Sequence, residues 1–220
     1  MRSTRRPRSS TALPFAPFIL PKPRLGRGRP LRDAFKRRMT SRDISERRLP
    51  LRLVSNLLWA ACGVNRRKGP FGTPGITAAS ASNSQEILVF VALQQGAYLF
   101  DATQHSLLPV SESDLRELAI GPGQRRSVRM SAPIELVYVV DLDRLVHTKG
   151  FQEPGLHDPE VQKSYYFVDT GLIAGNVYLF ASSFGLAVWF HNCDRESLAK
   201  ALNLRPTQRA LFAQSVGYPA

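Results

Sequence analysis

The chain has 220 residues, 30 Lys and Arg against 17 Asp and Glu, and 43% apolar residues. Such a length favours one domain able to bury a sizeable core, and the apolar fraction excludes wholesale disorder. The net charge of +13 divides unevenly: residues 1–48 hold +12 and residues 49–220 only +1, so the basicity belongs to the N-terminal segment and not to the body.

Residues 1–29 are rich in Arg, Ser, Pro and Gly. Pro14, Pro17, Pro21 and Pro23 forbid a continuous helix, and Ala12 to Leu20 is too short and too broken for a secretory signal. This stretch is expected to be a flexible extension, with residues 30–220 forming the domain. Contact with nucleic acid is expected only as nonspecific touching of anionic surfaces by this arm.

Leu31 to Arg38 reads as a short basic helix. Pro50 suits a first helical turn, and Leu51 to Cys62 follows with Val54, Leu57, Leu58 and Ala61 at buried spacing. Gly63 ends it, and residues 64–75 (VNRRKGPFGTPG) read as a loop. Glu86 to Leu93 is an inner strand, Gln94-Gln95-Gly96 a turn, and Ala97 to Asp101 its hairpin partner. Ser111 and Asp114 resemble a capping box opening a helix through Leu118. Ile134 to Asp141 is a second buried strand. Ser164 to Phe190 is long enough to span a bilayer, but Asp169, Asn176 and three glycines argue against it. It reads as a central helix buried on most sides, in which Gly171 and Gly175 would admit another helix, followed by the strand Leu186 to Phe190. An amphipathic helix from Asp194 to Leu202 and a last strand, Arg209 to Val216, complete an α+β chain without regular βαβ alternation.

Chemistry-bearing motifs are sparse. His105, His147, His157 and His191 lack metal-ligand spacing, and no metalloprotease helix, paired thiolate motif or nucleophile elbow is present. Cys62 and Cys193 exclude a disulfide framework and a four-thiolate zinc site; they read as small buried hydrophobes of a protein in a reducing, cytoplasmic compartment. Gly121-Pro122-Gly123 reads as a surface turn, and Asp141 with Asp143 as a strand-end turn. Two clusters remain. Arg38, Thr40 and Arg42, on alternate residues, would point to one side and suit a phosphate monoester, or else form a solvated basic run. Residues 80–85 (SASNSQ) could present hydrogen bonds to a planar polar ligand, or be a plain polar loop.

Taken in order, the blocks PKPRLGRGRPLRDAFKRRMTSRDI, LVSNLLWAACGVNR, TAASASNSQEILVFVAL, VDTGLIAGNVYLFASSFGLAVWF and DRESLAKALNLRPTQRALFAQSVGYP resemble the flavin-dependent nitroreductase family. The resemblance is closest to the branch containing the oxidases that form azoles from azoline rings in peptide maturation. It implies an α+β fold with a central mixed or antiparallel sheet packed with helices, in an intertwined homodimer with FMN at the interface. It also implies NAD(P)H as co-substrate. By resemblance, Arg38, Thr40 and Arg42 grip the FMN phosphate and ribityl chain. Ser80, Ser82 and Asn83 meet the flavin ring from the partner subunit, backbone amides at Phe184 and Gly185 face it, and Arg209 is a substitute for a C-terminal phosphate ligand. The chain departs from the family pattern at Ala79, Ser82 and Gly175 and in its short C-terminus.

The implied activity is hydride transfer from NAD(P)H to flavin and on to a nitroaromatic, quinone or similar acceptor by a ping-pong mechanism. No side chain need be catalytic, since the chemistry is borne by the flavin. One alternative is an azoline or peptide dehydrogenase that uses oxygen, for which Lys163 and Tyr165 are candidates. Another is a flavin-binding homologue without turnover.

Overall fold

The computed structural model describes residues 15–26, 28–124, 132–149 and 157–220. Runs of β-branched and aromatic residues pair into one antiparallel sheet of seven strands, ordered β1-β6-β5-β4-β7-β9-β8. These are β1 (Phe18–Ile19), β4 (Ile87–Leu93), β5 (Gly96–Asp101), β6 (Ser106–Ser111), β7 (Ile134–Asp141), β8 (Ala187–His191) and β9 (Gln208–Gly217). Every residue of β4 and β7 is buried. Their apolar runs are unbroken because both faces of the sheet are covered. Ile87, Val89, Val91 and Leu93 face one layer, and Leu88, Phe90 and Ala92 the other.

The first layer is built from α1 (Leu31–Arg37), α2 (Leu51–Cys62) and α5 (Pro159–Phe184). Val54, Leu57, Leu58 and Ala61 of α2 join Ile173, Val177 and Phe180 of α5 in its core. The second layer is thinner, made of α3 (Arg116–Ala119) and α6 (Arg195–Ala201), with Ala119 and Leu198 against β4, β7 and β9. A short helix, α4 (Leu142–Val146), continues directly from β7. Both cysteines are buried and free, and burial pushes the Cys62 thiol up to about 12 and Cys193 to about 11.

Four expectations change. First, residues 15–26, 28 and 29 are not a loose arm. Phe18 and Ile19 pair with Leu107 and Ser106 at the sheet edge, Leu20 is buried, and Arg29 N–H donates to Ser183 O at 3.0 Å. Residues 1–14 lie outside the described residues.

Second, residues 64–76 form a small ribbon, β2 (Val64–Arg66) against β3 (Gly75–Ile76), despite their glycines and prolines. Third, Ser111 ends β6, where its hydroxyl accepts from Ser113 N–H at 3.3 Å, and caps no helix. The helix starts only at Arg116, whose guanidinium is paired with Asp114 at 2.6 Å. β6 itself carries Pro109, beyond the two-residue reach of β1, where a missing N–H costs no ladder bond.

Fourth, α5 begins at Pro159, capped by Asp158, whose side chain accepts from Glu160 N. One side of α5 is open. Tyr165, Phe167, Val168 and Leu172 are exposed, and a Cβ placed on Gly171 or Gly175 would meet nothing within 4 Å. No helix among the described residues approaches there.

Candidate functional site

The helix α5 organises two separate groups of sequence-predicted residues. At its C-terminal end, Gly185 closes the helix with φ 71°, a conformation that favours glycine. Gly185 N–H and Leu186 N–H both donate to Ala181 O. The Gly185 amide is therefore spent inside the helix cap and does not face outward. The missing side chain instead leaves open room, whose nearest neighbour is Arg29 Nη1 at 3.6 Å from an added Cβ. Phe184 stacks on Phe180, ring centroids 4.4 Å apart, and turns to a neighbouring cavity of about 340 Å³.

Beside Gly185 lies a cavity of about 320 Å³ whose lining includes Arg29, Arg37, Met39, Ser41 and Tyr178. Tyr178, about two turns before the cap, is the hub of this end. Its oxygen accepts from Phe190 N–H at 3.1 Å and lies 3.0 Å from Thr40 Oγ1. Either hydroxyl of this pair can be the donor, so the Tyr178–Thr40 contact fixes the position of both oxygens. The Arg38 guanidinium lies over the same ring, 5.4 Å from its centre. Arg29, Arg37 and Arg38 make no ion pair with a carboxylate among the described residues. Three uncompensated guanidiniums and two hydroxyls at an open glycine turn fit the phosphate end of an anionic cofactor.

Arg42 does not join them. Ser41 N–H donates to Val188 O, so the chain crosses the edge strand β8 at this point. Arg42 then lies over the Trp189 ring at 5.2 Å, on the far side of the sheet from Arg38. The alternate-residue argument fails here because the segment wraps an edge instead of running flat along one face. Arg29 and Arg37 stand on the side that Arg42 leaves. Arg209 is also apart: β9 pairs it with Val140, whereas Gly185 adjoins the opposite end of that strand, where Gly217 pairs with Ala187.

The second group is the loop 80–85, which rests on the middle of α5. Ala81 N–H donates to Asp169 Oδ2 at 2.9 Å, and Gln85 N–H to Ser80 Oγ at 3.0 Å. Ser82, Asn83 and Gln85 hold φ of 50°, 56° and 50°. Left-handed backbone at three side-chain-bearing residues costs on the order of 1 kcal/mol each and persists only when neighbours enforce it. Here Gln85 Nε2 bonds Pro74 O at 2.6 Å and Asn83 Oδ1 at 3.1 Å, while Asn83 reaches back to Thr73 and Pro74 carbonyls. The Ser82 hydroxyl has no hydrogen-bond partner among the described residues. Beneath the loop, Glu86 is fully buried, its Oε2 accepting from Ser84 Oγ at 2.6 Å while Oε1 has no partner.

Lys163 and Tyr165 sit on the first turns of α5. Lys163 pairs with Glu160 at 3.5 Å, half-exposed, and Tyr165 is on the open side. Sequence reading missed Arg29, Arg37, Tyr178, Glu86 and Asp169 as site residues. Only Asp169 carried a local signal, a carboxylate inside an otherwise apolar helix. Among the described residues no cluster of His, Cys, Asp or Glu could hold a metal ion, and no helix is long and apolar enough to cross a membrane.

An antiparallel sheet backed by a long central helix, with an arginine-rich turn at that helix's end, defines the class. Residues 35–218 match the family model described as the nitroreductase family, and the chain belongs to that family. A nitroreductase-type protein of Ralstonia eutropha is 32% identical, aligns over 93% of this chain and 90% of its own, and superposes with a TM-score of 0.80. A nitroreductase-type protein of Methanocaldococcus jannaschii is 29% identical over 161 residues, 71% of this chain and 75% of its own.

Two more distant solved structures share the fold alone. One is the Escherichia coli microcin synthetase complex (19% identity, 80% of this chain, 66% of that chain, TM-score 0.63). The other is the NADPH:FMN oxidoreductase of Vibrio harveyi complexed with NAD+ (18%, 86% and 68%, TM-score 0.58).

Proposed function

We propose that this chain is an FMN-dependent oxidoreductase, acting as a homodimer, that passes hydride from NAD(P)H to a nitroaromatic, quinone or similar acceptor. One observation carries the reading: the two halves of the candidate site lie on α5 too far apart for one ligand. Asp169, under the Ser80–Asn83 loop, and Gly185, at the arginine-rich turn, are 16 residues apart, about 24 Å at 1.5 Å per residue. A second copy supplies the missing half if the open sides of two α5 helices pack together. The exposed stripe of Tyr165, Val168 and Leu172, with Gly171 bare beside it, is the apolar face for that contact.

FMN, when bound, supplies a reversible acceptor of two electrons. The chain's own work is binding and orientation. Arg29, Arg37 and Arg38 with the Thr40 hydroxyl hold the phosphate, and Tyr178 fixes Thr40. The Ser80–Asn83 loop of the other copy lines the ring, with the Ser82 hydroxyl as its available donor. No side chain has to move a proton at a reacting atom, since the chemistry is borne by the flavin.

The test is the visible spectrum of purified protein after adding FMN and desalting, with the mass in solution measured alongside. About one flavin per chain on a dimer, bleached by NAD(P)H and recovered with an acceptor, is expected. A protein that retains no flavin, or a flavoprotein that nicotinamide does not bleach, overturns the enzymatic reading. Leu172→Glu should yield a monomer and lose FMN together. A monomeric Leu172→Glu protein that still binds FMN would refute the shared site.

A further inference from the structure

Loop 80–85 is held from below by two acids. Asp169 accepts the Ala81 amide at one end, and Glu86 accepts the Ser84 hydroxyl at the other. Asp169 is 4% exposed and Glu86 not at all. Two carboxylates buried side by side cannot both be charged without large cost, so the pair keeps a proton.

The groups around the pair do not neutralise it. From α4, Arg144 reaches Gln85 O at 3.3 Å and stands 3.9 Å from Asp141, an acid that also takes Arg205. Neither guanidinium is paired with Glu86 or Asp169. The loop itself offers only hydroxyls and amides. Burial first, then the Asp169 charge, push the Glu86 carboxyl up to about 7, against the opposing pull of the Ser84 hydroxyl. The Asp169 carboxyl is also raised by burial, with the Ala81 amide pulling it down.

We infer that Glu86 and Asp169 are a proton-sharing positioning pair that keeps the Ser80–Asn83 loop in its binding shape, so that the loop's grip on the flavin ring loosens when the shared proton leaves. The inference rests on the proposed FMN site. The physical step is simple. With the proton present, Glu86 is neutral, Asp169 is the single anion, and it holds the Ala81 N–H. Without it, two buried anions repel across the base of a loop that already carries three left-handed residues, and separating them releases Ala81. Neither acid touches the ligand in this scheme; both act through the loop.

The experiment is a titration of the full-length protein with FMN, followed by flavin fluorescence, at a series of pH values. For the natural chain the dissociation constant should rise by about tenfold between about pH 6 and pH 8, one pKa unit's worth of coupling. Glu86→Gln, neutral at every pH, should hold the low-pH affinity throughout and flatten the profile. Ser84→Ala removes the bond that favours the charged form, so its midpoint should move to higher pH. This second variant decides the matter even where Glu86→Gln fails to fold.

A natural chain with a flat profile overturns the inference, as does an unchanged slope in Glu86→Gln or an unshifted midpoint in Ser84→Ala. Absence of FMN binding at every pH is a different failure: it sinks the flavin site and this inference with it. A purely structural role for the pair would lower affinity in the variants without moving the midpoint.

Discussion

Two buried acids, one within a strand and one under a loop, meet the same cost in different ways. Glu135, on β7, stands opposite Ser215 of β9, whose hydroxyl is 2.8 and 2.9 Å from the two carboxyl oxygens. His191 Nε2 lies 2.8 Å from that hydroxyl and 3.5 Å from Glu135, and its Nδ1 faces Asn192 O at 3.0 Å. Burial raises the Glu135 carboxyl, and His191, Ser215 and Arg116 pull it back. Both of its oxygens are bonded. Glu86 has one hydroxyl, another acid for a neighbour and a bare oxygen. A satisfied cluster between packed strands stabilises the fold; an unsatisfied pair under a strained loop is a reservoir that the loop's function can draw on.

The largest test of this contrast is deletion. Glu135→Ala should cost about 3–5 kcal/mol in chemical denaturation, because it strips a fully buried histidine and serine of their partner. Glu86→Gln should stay within about 1 kcal/mol of the natural chain at low pH, since it removes no charge that was present. Equal losses from the two changes would erase the distinction.

The next is pH. The folded Glu86 carboxyl titrates at about 7, above its usual 4.5. The native state is therefore penalised as pH climbs from about 4.5 to about 7 and is level beyond, by at most about 3 kcal/mol at 1.36 per unit. In Glu86→Gln that decline should vanish; its survival would assign the decline to other groups. Smaller still is the hydroxyl comparison. Ser215→Ala should lose about 1–2 kcal/mol by leaving Glu135 and His191 underbonded, whereas Ser84→Ala, which lies at a half-buried loop, should lose less than about 1. Thermal unfolding of the two variants side by side reads the difference, and a reversed order would count against the contrast.

The strands of this protein were plain in its sequence where they are deepest. Ile134 to Asp141 appears with the bounds that were read, and Leu51 to Cys62 likewise, because burial on both faces or on one helical stripe writes itself into residue type. The apolar edge strand β8 was legible, but the short and irregular strands elsewhere were not. β1 is two residues long, β6 contains a proline, and β2 and β3 lie among glycines; each exists because a neighbouring strand offers hydrogen bonds, which no local pattern records. The site was legible as motifs and not as geometry. Arg38 and Thr40 meet at Tyr178 as a phosphate grip would require, yet Arg42 passes behind β8, and Arg29, counted as part of a loose arm, stands in the cavity instead.

By itself, then, the sequence determined the class of fold, the family, the core strands and helices, and the two polar clusters around which a cofactor could be held. The fold class and the core elements follow from hydrophobic periodicity, the polar clusters from residue type, and the family from the resemblance of five ordered blocks. Only the tertiary structure decided that the two clusters lie about 24 Å apart on one helix, that the apolar stripe Tyr165–Val168–Leu172 is left uncovered, and that Asp169 and Glu86 meet under loop 80–85. Those facts depend on residues 83 positions apart in the chain being brought into contact. Burial converts that contact from two ordinary solvated carboxylates into a pair that competes for one proton.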